Sequence, residues 1–193
     1  MFLPLLLILI SLSPAISSSN SRANKAYVIK ACHNTTSYSS QCVKSLSPHA
    51  NKIKSDPKRL CNYAISNALA DARAAKSRAL KAAKTEGLSA SDKAVLRDCA
   101  DTIGDTVDEL RNCAAALRKV KGSMSAEANA GTLDDVRTWA SASLTDDYTC
   151  TDEMDEEKVG QAKLGKFRAS LVKVNASTRI LLALITYTTS TSS

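Results

Sequence analysis

The chain has 193 residues, 44% of them hydrophobic and 23% charged, with a formal net charge of +7. That balance marks a globular protein rather than a disordered one, and the length suits a single domain. Aromatic residues make up only 4%, with one Trp and two Phe, so the core is built from small side chains, which favours closely packed helices over a β-sandwich.

In chain order, Phe2 to Leu12 is an almost unbroken apolar run, followed by Pro14 and small residues. It is too short to span a bilayer, and Ala15 and Ser17 fit a cleavage site, so residues 1–17 read as a secretion signal rather than an anchor. Secretion changes the meaning of the six cysteines, because an even count in an oxidising compartment points to disulfides. Residues 26–48 read as a short helical hairpin around Cys32 and Cys42. The sequon Asn34-Thr35-Thr36 lies inside that loop and is a candidate for glycosylation.

The four prolines all lie at or before Pro57, so nothing later forces a helix to break. The first long helix is expected from Lys58 to Lys84, with Cys61, Ile65, Ala68, Ala72, Ala75, Ala79 and Ala82 on one seam and Arg73, Lys76, Arg78, Lys81 and Lys84 on its polar side. Gly87 ends it, and Ser89, Ser91 or Asp92 can cap the next. In the second helix Leu96, Cys99, Ile103, Thr106, Leu110, Cys113, Leu117 and Val120 recur at spacings of three and four, which is one buried stripe. Asp101, Asp105 and Asp108 follow another line on the same helix.

A third helix is expected from about Thr132, with Asp134 and Asp135 favourable at its positive end. Leu133, Val136, Ala140 and Leu144 point it inward toward Cys150, and an acidic stretch follows from Asp146 to Glu157. The last helix is expected from Val159 to Tyr187, with the Thr/Ser-rich residues 188–193 as a disordered tail. The sequon Asn175-Ala176-Ser177 lies on it, flanking the apolar seam. The pattern therefore predicts an all-α fold, an up-down-up-down four-helix bundle over residues 58–187 preceded by the hairpin.

Folding these helices back on one another suggests the disulfides. Reflection about the Gly87 turn sets Cys61 level with Cys113, and reflection about the Gly122 to Gly131 loop sets Cys99 level with Cys150. Cys32 and Cys42 then close a local loop. Each pair requires Cα atoms within about 7 Å. A metal site is disfavoured, since there is no CxxC pair and His33 and His49 are not at ligand spacing with the helix cysteines. The chain lacks a phosphate-cradling glycine loop and a Ser/His/Asp spacing as well, so neither catalysis nor a cofactor is expected.

Three blocks of sequence carry a resemblance. The first runs from Ala31-Cys32 through Thr36-Ser37-Tyr38 to Cys42-Val43-Lys44-Ser45-Leu46. The second runs from Ala94-Val95-Leu96-Arg97-Asp98-Cys99 to Asp108-Glu109-Leu110. In the third, Asp134-Asp135-Val136-Arg137-Thr138-Trp139-Ala140-Ser141-Ala142-Ser143-Leu144-Thr145 leads to Thr149-Cys150-Thr151-Asp152. Together they resemble the plant invertase and pectin methylesterase inhibitor family, across about Tyr27 to Tyr187.

The resemblance implies a hairpin closed by Cys32–Cys42, a bundle braced by Cys99–Cys150, and inhibition by covering an enzyme's cleft one-to-one. Carried over by position, the contacting face holds Asp101, Asp105, Thr149 and Asp152. For the aspartates a merely solvated face is the alternative, and for Thr149 and Asp152 local capping. Cys61 and Cys113 are additions to the family pattern and read as a third bridge.

The expected partner is pectin methylesterase, with acid invertase as the alternative. Inhibitors of the sucrose-cleaving enzyme carry a Pro-Lys-Phe element, whereas here Gly165-Lys166-Phe167 lacks the proline and sets Phe167 on an apolar seam. A secreted helical structural or carrier role is the non-inhibitor alternative. The expected location is the apoplast and cell wall, which removes nucleic acid as a partner for the basic chain and leaves weak attraction to anionic pectin. No membrane contact is expected after signal cleavage. The absence of a following catalytic region reads as a stand-alone inhibitor rather than the prodomain of an esterase.

Overall fold

The computed structural model describes residues 13–35, 37–159 and 164–191. Most of the expected secretion signal lies outside them. The helices are α1 (Ser13–Thr35), α2 (Ser39–Leu46), α3 (Ala50–Ile53), α4 (Pro57–Ala82), α5 (Ala90–Lys119), α6 (Ala126–Glu156) and α7 (Gly165–Ser190), with a short 3₁₀ turn at Ser47–His49. The long helices α4 to α7 form the four-helix bundle, each packed on its two neighbours around a ring. Helix α1 folds against α2 and α3 as the N-terminal hairpin and leans on α7.

Local chemistry sets the helix boundaries. At the start of α4 the Asp56 carboxylate accepts from the Arg59 backbone N–H at 2.9 Å, and Pro57 occupies the first turn where no N–H is needed. Gly87 supplies a φ of 73° in the turn that follows. Helix α5 opens with a capping box, Ser89 Oγ accepting from the Asp92 N–H at 2.9 Å while the Asp92 carboxylate accepts from the Ser89 N–H at 3.1 Å. Its far end is closed from α4, where Lys58 Nζ donates to the Val120 carbonyl at 2.6 Å. A cation at the negative pole of a helix is favourable.

The core runs the length of the bundle. Ala64, Ala68, Ala72, Ala75 and Ala79 give α4 a buried stripe of small residues, against which larger side chains such as Leu96, Ile103, Leu110, Phe167, Leu181 and Leu184 are also buried. Small residues on one helix let its neighbours approach closely, which fits the aromatic-poor composition. Helix α7 is long and apolar enough to cross a membrane by composition, yet 56% of its most apolar window is buried inside the bundle. It is the core helix of the fold.

Several boundaries differ from the sequence reading. Thr132 does not cap a helix, because α6 already begins at Ala126 and merely kinks at Asn129, where φ is −138°. The Asn129 side chain accepts from the Lys121 N–H at 3.1 Å and donates to the Ser123 carbonyl at 2.9 Å, tying the preceding loop to the kink. The acidic stretch is helical and continues α6 to Glu156. Helix α7 starts at Gly165, later than Val159, and extends beyond Tyr187. The expected disordered tail is therefore helical over residues 188–190, held because Thr188 is buried and Thr189 accepts from Arg137 at 3.0 Å.

Two of the three expected disulfides are present. Cys32–Cys42 joins α1 to α2 with Cα atoms 5.6 Å apart, and Cys99–Cys150 joins α5 to α6 at 4.8 Å. The third is not: Cys61 and Cys113 are both free and buried. Cys61 Sγ lies 3.5 Å from Thr188 Oγ1 on α7, whereas Cys113 Sγ donates to the Val136 carbonyl on α6 at 3.4 Å. The two thiols turn toward different neighbours around the ring, so a shared level along the axis does not bring them together. Burial pushes both thiols up to about 12, which leaves them protonated and inert.

Candidate functional site: the acidic face of α5 and α6

The Cys99–Cys150 bond fixes α5 against α6 at one level, and acidic side chains gather around that level. On α5, Asp98, Asp101 and Asp105 are exposed, and on α6 so are Thr149 and Asp152. The α5 positions are set by the helix itself, since burying Cys99, Ile103 and Leu110 turns the line of Asp101 and Asp105 outward. Thr149 donates its hydroxyl to the Thr145 carbonyl one turn back at 3.0 Å, so its side chain is oriented by its own helix while remaining exposed.

The antiparallel register pairs like charges across the seam. Burial is the main cause that raises Glu109, Asp146 and Glu153, and to it Asp105 adds repulsion on Glu109 and Asp146, and Asp98 on Glu153. Glu109 and Asp146 lie near enough across the seam for each carboxyl to influence the protonation of the other. Burial first and then the Asp146 carboxyl push Glu109 up to about 7. Thr106 Oγ1 donates to Asp146 at 3.5 Å from beneath. A face on which acidic groups repel one another is poised to meet donors or cations on a partner. The face thus contrasts with α4, where Arg73, Arg78, Lys81 and Lys84 are exposed on a chain that is basic overall.

Sequence reasoning missed Glu109 and Asp146 as a pair. The available signal was the absence of Pro between Thr132 and Glu157, which permits α6 to run on until Asp146 faces α5. Other expected sites fall elsewhere. Asn34 is exposed near the end of α1, while Thr36 of its sequon lies outside the described residues. Asn175 is half-buried inside α7, where its side chain accepts from Arg179 Nε at 3.0 Å. Phe167 of the Gly165-Lys166-Phe167 string is 2% exposed and belongs to the core.

Among the described residues there is no cluster of three His, Cys, Asp or Glu side chains suited to a metal. Comparison with known proteins gives the architecture its context. The chain is 35% identical over 175 residues to "Pectinesterase inhibitor 10" of Arabidopsis thaliana, covering 91% of this chain but 55% of that protein, so it spans little more than half of that relative. It is 29% identical over 186 residues to "Pectinesterase inhibitor 9", covering 95% and 91% of the two chains, and 30% identical over 165 residues to "Pectinesterase inhibitor 4", covering 83% and 80%, both from the same plant. The family model described as "Plant invertase/pectin methylesterase inhibitor" matches residues 26–184, from the middle of α1 to the later turns of α7. The chain belongs to the plant invertase/pectin methylesterase inhibitor family, and its role is accordingly that of an inhibitor and not an enzyme.

Proposed function

We propose that the protein is a secreted inhibitor of pectin methylesterase, which docks one-to-one over the substrate cleft of the enzyme through the acidic face of α5 and α6. The observation that supports this most is the position of Asp101, Asp105, Thr149 and Asp152, all exposed beside the covalently fixed level of Cys99 and Cys150. A surface that is already rigid loses little conformational freedom on docking, so more of its contact energy appears as affinity. The names of its relatives favour the esterase as target. The burial of Phe167 speaks against a sucrose-site element at Gly165 to Phe167, because a ring held in the core cannot enter another protein's cleft.

In the cell wall, the setting that goes with this function, the exposed cations of α4 would provide weak, salt-sensitive attraction to anionic pectin. The test is direct. Purified protein is mixed with a plant pectin methylesterase and, separately, with an acid invertase, and residual activity is followed as inhibitor is added. Loss of esterase activity at a one-to-one ratio, with invertase untouched, is the expected result. Loss of invertase activity alone would transfer the reading to the other target, and no loss in either would end it.

A further inference from the structure

Away from the acidic face, between α6, α7 and the hairpin, lies a cavity of about 340 Å³. Two of the residues that line it each carry one buried polar atom without a partner. Asp147 is only 2% exposed and its Oδ1 has no hydrogen bond, and Arg168 Nε is in the same condition. Buried polar atoms are almost always paired, so two orphans of opposite kind in one cavity, an acceptor and a donor, point to a ligand that completes both.

The surroundings narrow its chemistry. The terminal nitrogens of Arg168 are already committed, one to Asp155 at 2.6 Å and the other to the Met154 carbonyl at 3.4 Å. An anion is opposed by the buried Asp147 carboxylate, which lines the same cavity. A cation is opposed by Arg179, which donates to the Tyr148 hydroxyl and stands 5.7 Å over the ring of that cavity-lining residue. Leu171 and Val172 supply an apolar wall, and Val172 is 69% exposed. The matching ligand is uncharged, has adjacent donor and acceptor groups along one edge, and has an apolar ring face.

We propose that this cavity is a binding site for a neutral pyranose, with one sugar hydroxyl donating to Asp147 Oδ1, another accepting from Arg168 Nε, and the C–H face of the ring against Leu171, Val172 and the Tyr148 ring. Mostly apolar walls with a few placed polar groups are the usual form of a small-ligand site. The site is independent of the inhibitory face and stands or falls separately from it.

The experiment titrates the full chain, followed by saturation-transfer NMR, with methyl α-galactopyranoside and methyl α-glucopyranoside as neutral probes, galacturonate as the anion and tetramethylammonium as the cation. Saturable binding of a neutral glycoside in the millimolar range, tighter than either ion, is expected. Asp147→Asn should weaken it roughly tenfold or more. Val172→Glu, a change at an exposed position that replaces part of the apolar wall with a carboxylate, should weaken it without affecting the fold. The proposal is overturned if neither glycoside binds at tens of millimolar, if an ion binds as tightly as the glycosides, or if both variants remain folded and bind as the parent does.

Discussion

The α5–α6 and α4–α7 seams are built from the same kind of helix but are held by different means. Across α5 and α6, like charges oppose each other and a disulfide keeps the helices together, with Cα atoms 4.8 Å apart at Cys99 and Cys150. Across α4 and α7 there is no covalent bond; Cys61 keeps its thiol beside Thr188, and the alanine stripe of α4 packs on the apolar face of α7. Covalent bracing appears where the surface chemistry opposes association, and packing suffices where it does not. The repulsive seam is also the one that carries the proposed docking residues, so function and local instability coincide there.

The sharpest way to break this comparison is to remove the disulfide from one seam and the free thiol from the other. Cys99→Ala with Cys150→Ala opens a long loop in the unfolded chain and should cost about 4 kcal/mol by the chain-entropy estimate. Cys61→Ala should cost about 1 kcal/mol, the loss of one small buried group. Urea denaturation with and without reductant checks both: the parent should lose stability on reduction, and Cys61→Ala should lose as much again as the parent does. Equal effects of the two substitutions would erase the distinction between the seams.

Phe167→Ala tests the packing side, since a fully buried aromatic ring costs about 3–5 kcal/mol to truncate. Its unfolding midpoint should fall while inhibition by the folded fraction is retained. A variant with unchanged stability would show that Phe167 is not part of the core.

Proton linkage tests the repulsive side. Glu109 and Asp147 both have folded-state pKa values raised above their ordinary range, to about 7 and about 6, chiefly by burial. A carboxyl raised in this way stabilises the fold fully below its unfolded pKa, and that contribution is lost as pH rises through the folded value. Stability should therefore decline from pH 4 toward pH 8, by about 1–2 kcal/mol for Glu109 once solvent screening of this half-exposed group is discounted. Glu109→Gln should flatten that part of the profile, and a parent profile that rises over the same range would contradict the raised Glu109 carboxyl.

The smallest effect belongs to neither seam and calibrates both. Lys54 and Ser55 hold successive left-handed conformations, each with φ of 55°, at the end of α3. Ser55→Gly should stabilise by up to about 1 kcal/mol, because glycine adopts that conformation without a Cβ clash.

What could be read in the sequence was local and periodic. The threes and fours from Leu96 to Val120 placed α5 and its buried stripe, and Gly87 with a cap at Ser89, Ser91 or Asp92 placed its beginning to within a turn, because capping and helical phase are decided within a few residues. The pairing of Cys99 with Cys150 followed from counting residues back from a turn. The same count misled for Cys61 and Cys113, because it fixes height along a bundle and not direction around it, and Cys113 points to Val136 on α6. The acidic stretch carries no residue that breaks a helix, yet its charge alone does not show that α6 runs through it. Its continuation is what brings Asp146 to Glu109 and buries Asp147. The exposure of Asp101 and Asp105 was legible from α5 alone, whereas their company across the seam depended on a tertiary register that no local pattern encodes.

The most direct test of the account compares faces. Asp101→Lys with Asp105→Lys reverses charge on the α5 side of the disulfide, and Arg73→Glu with Lys81→Glu reverses it on the exposed side of α4. Isothermal titration of each variant and the parent into a plant pectin methylesterase should show one-to-one binding for the parent and for the α4 variant, and a loss of at least roughly tenfold in affinity for the α5 variant. Undiminished binding by the α5 variant, or a loss confined to the α4 variant, would contradict the claim that the braced acidic seam is the surface that closes the enzyme's cleft.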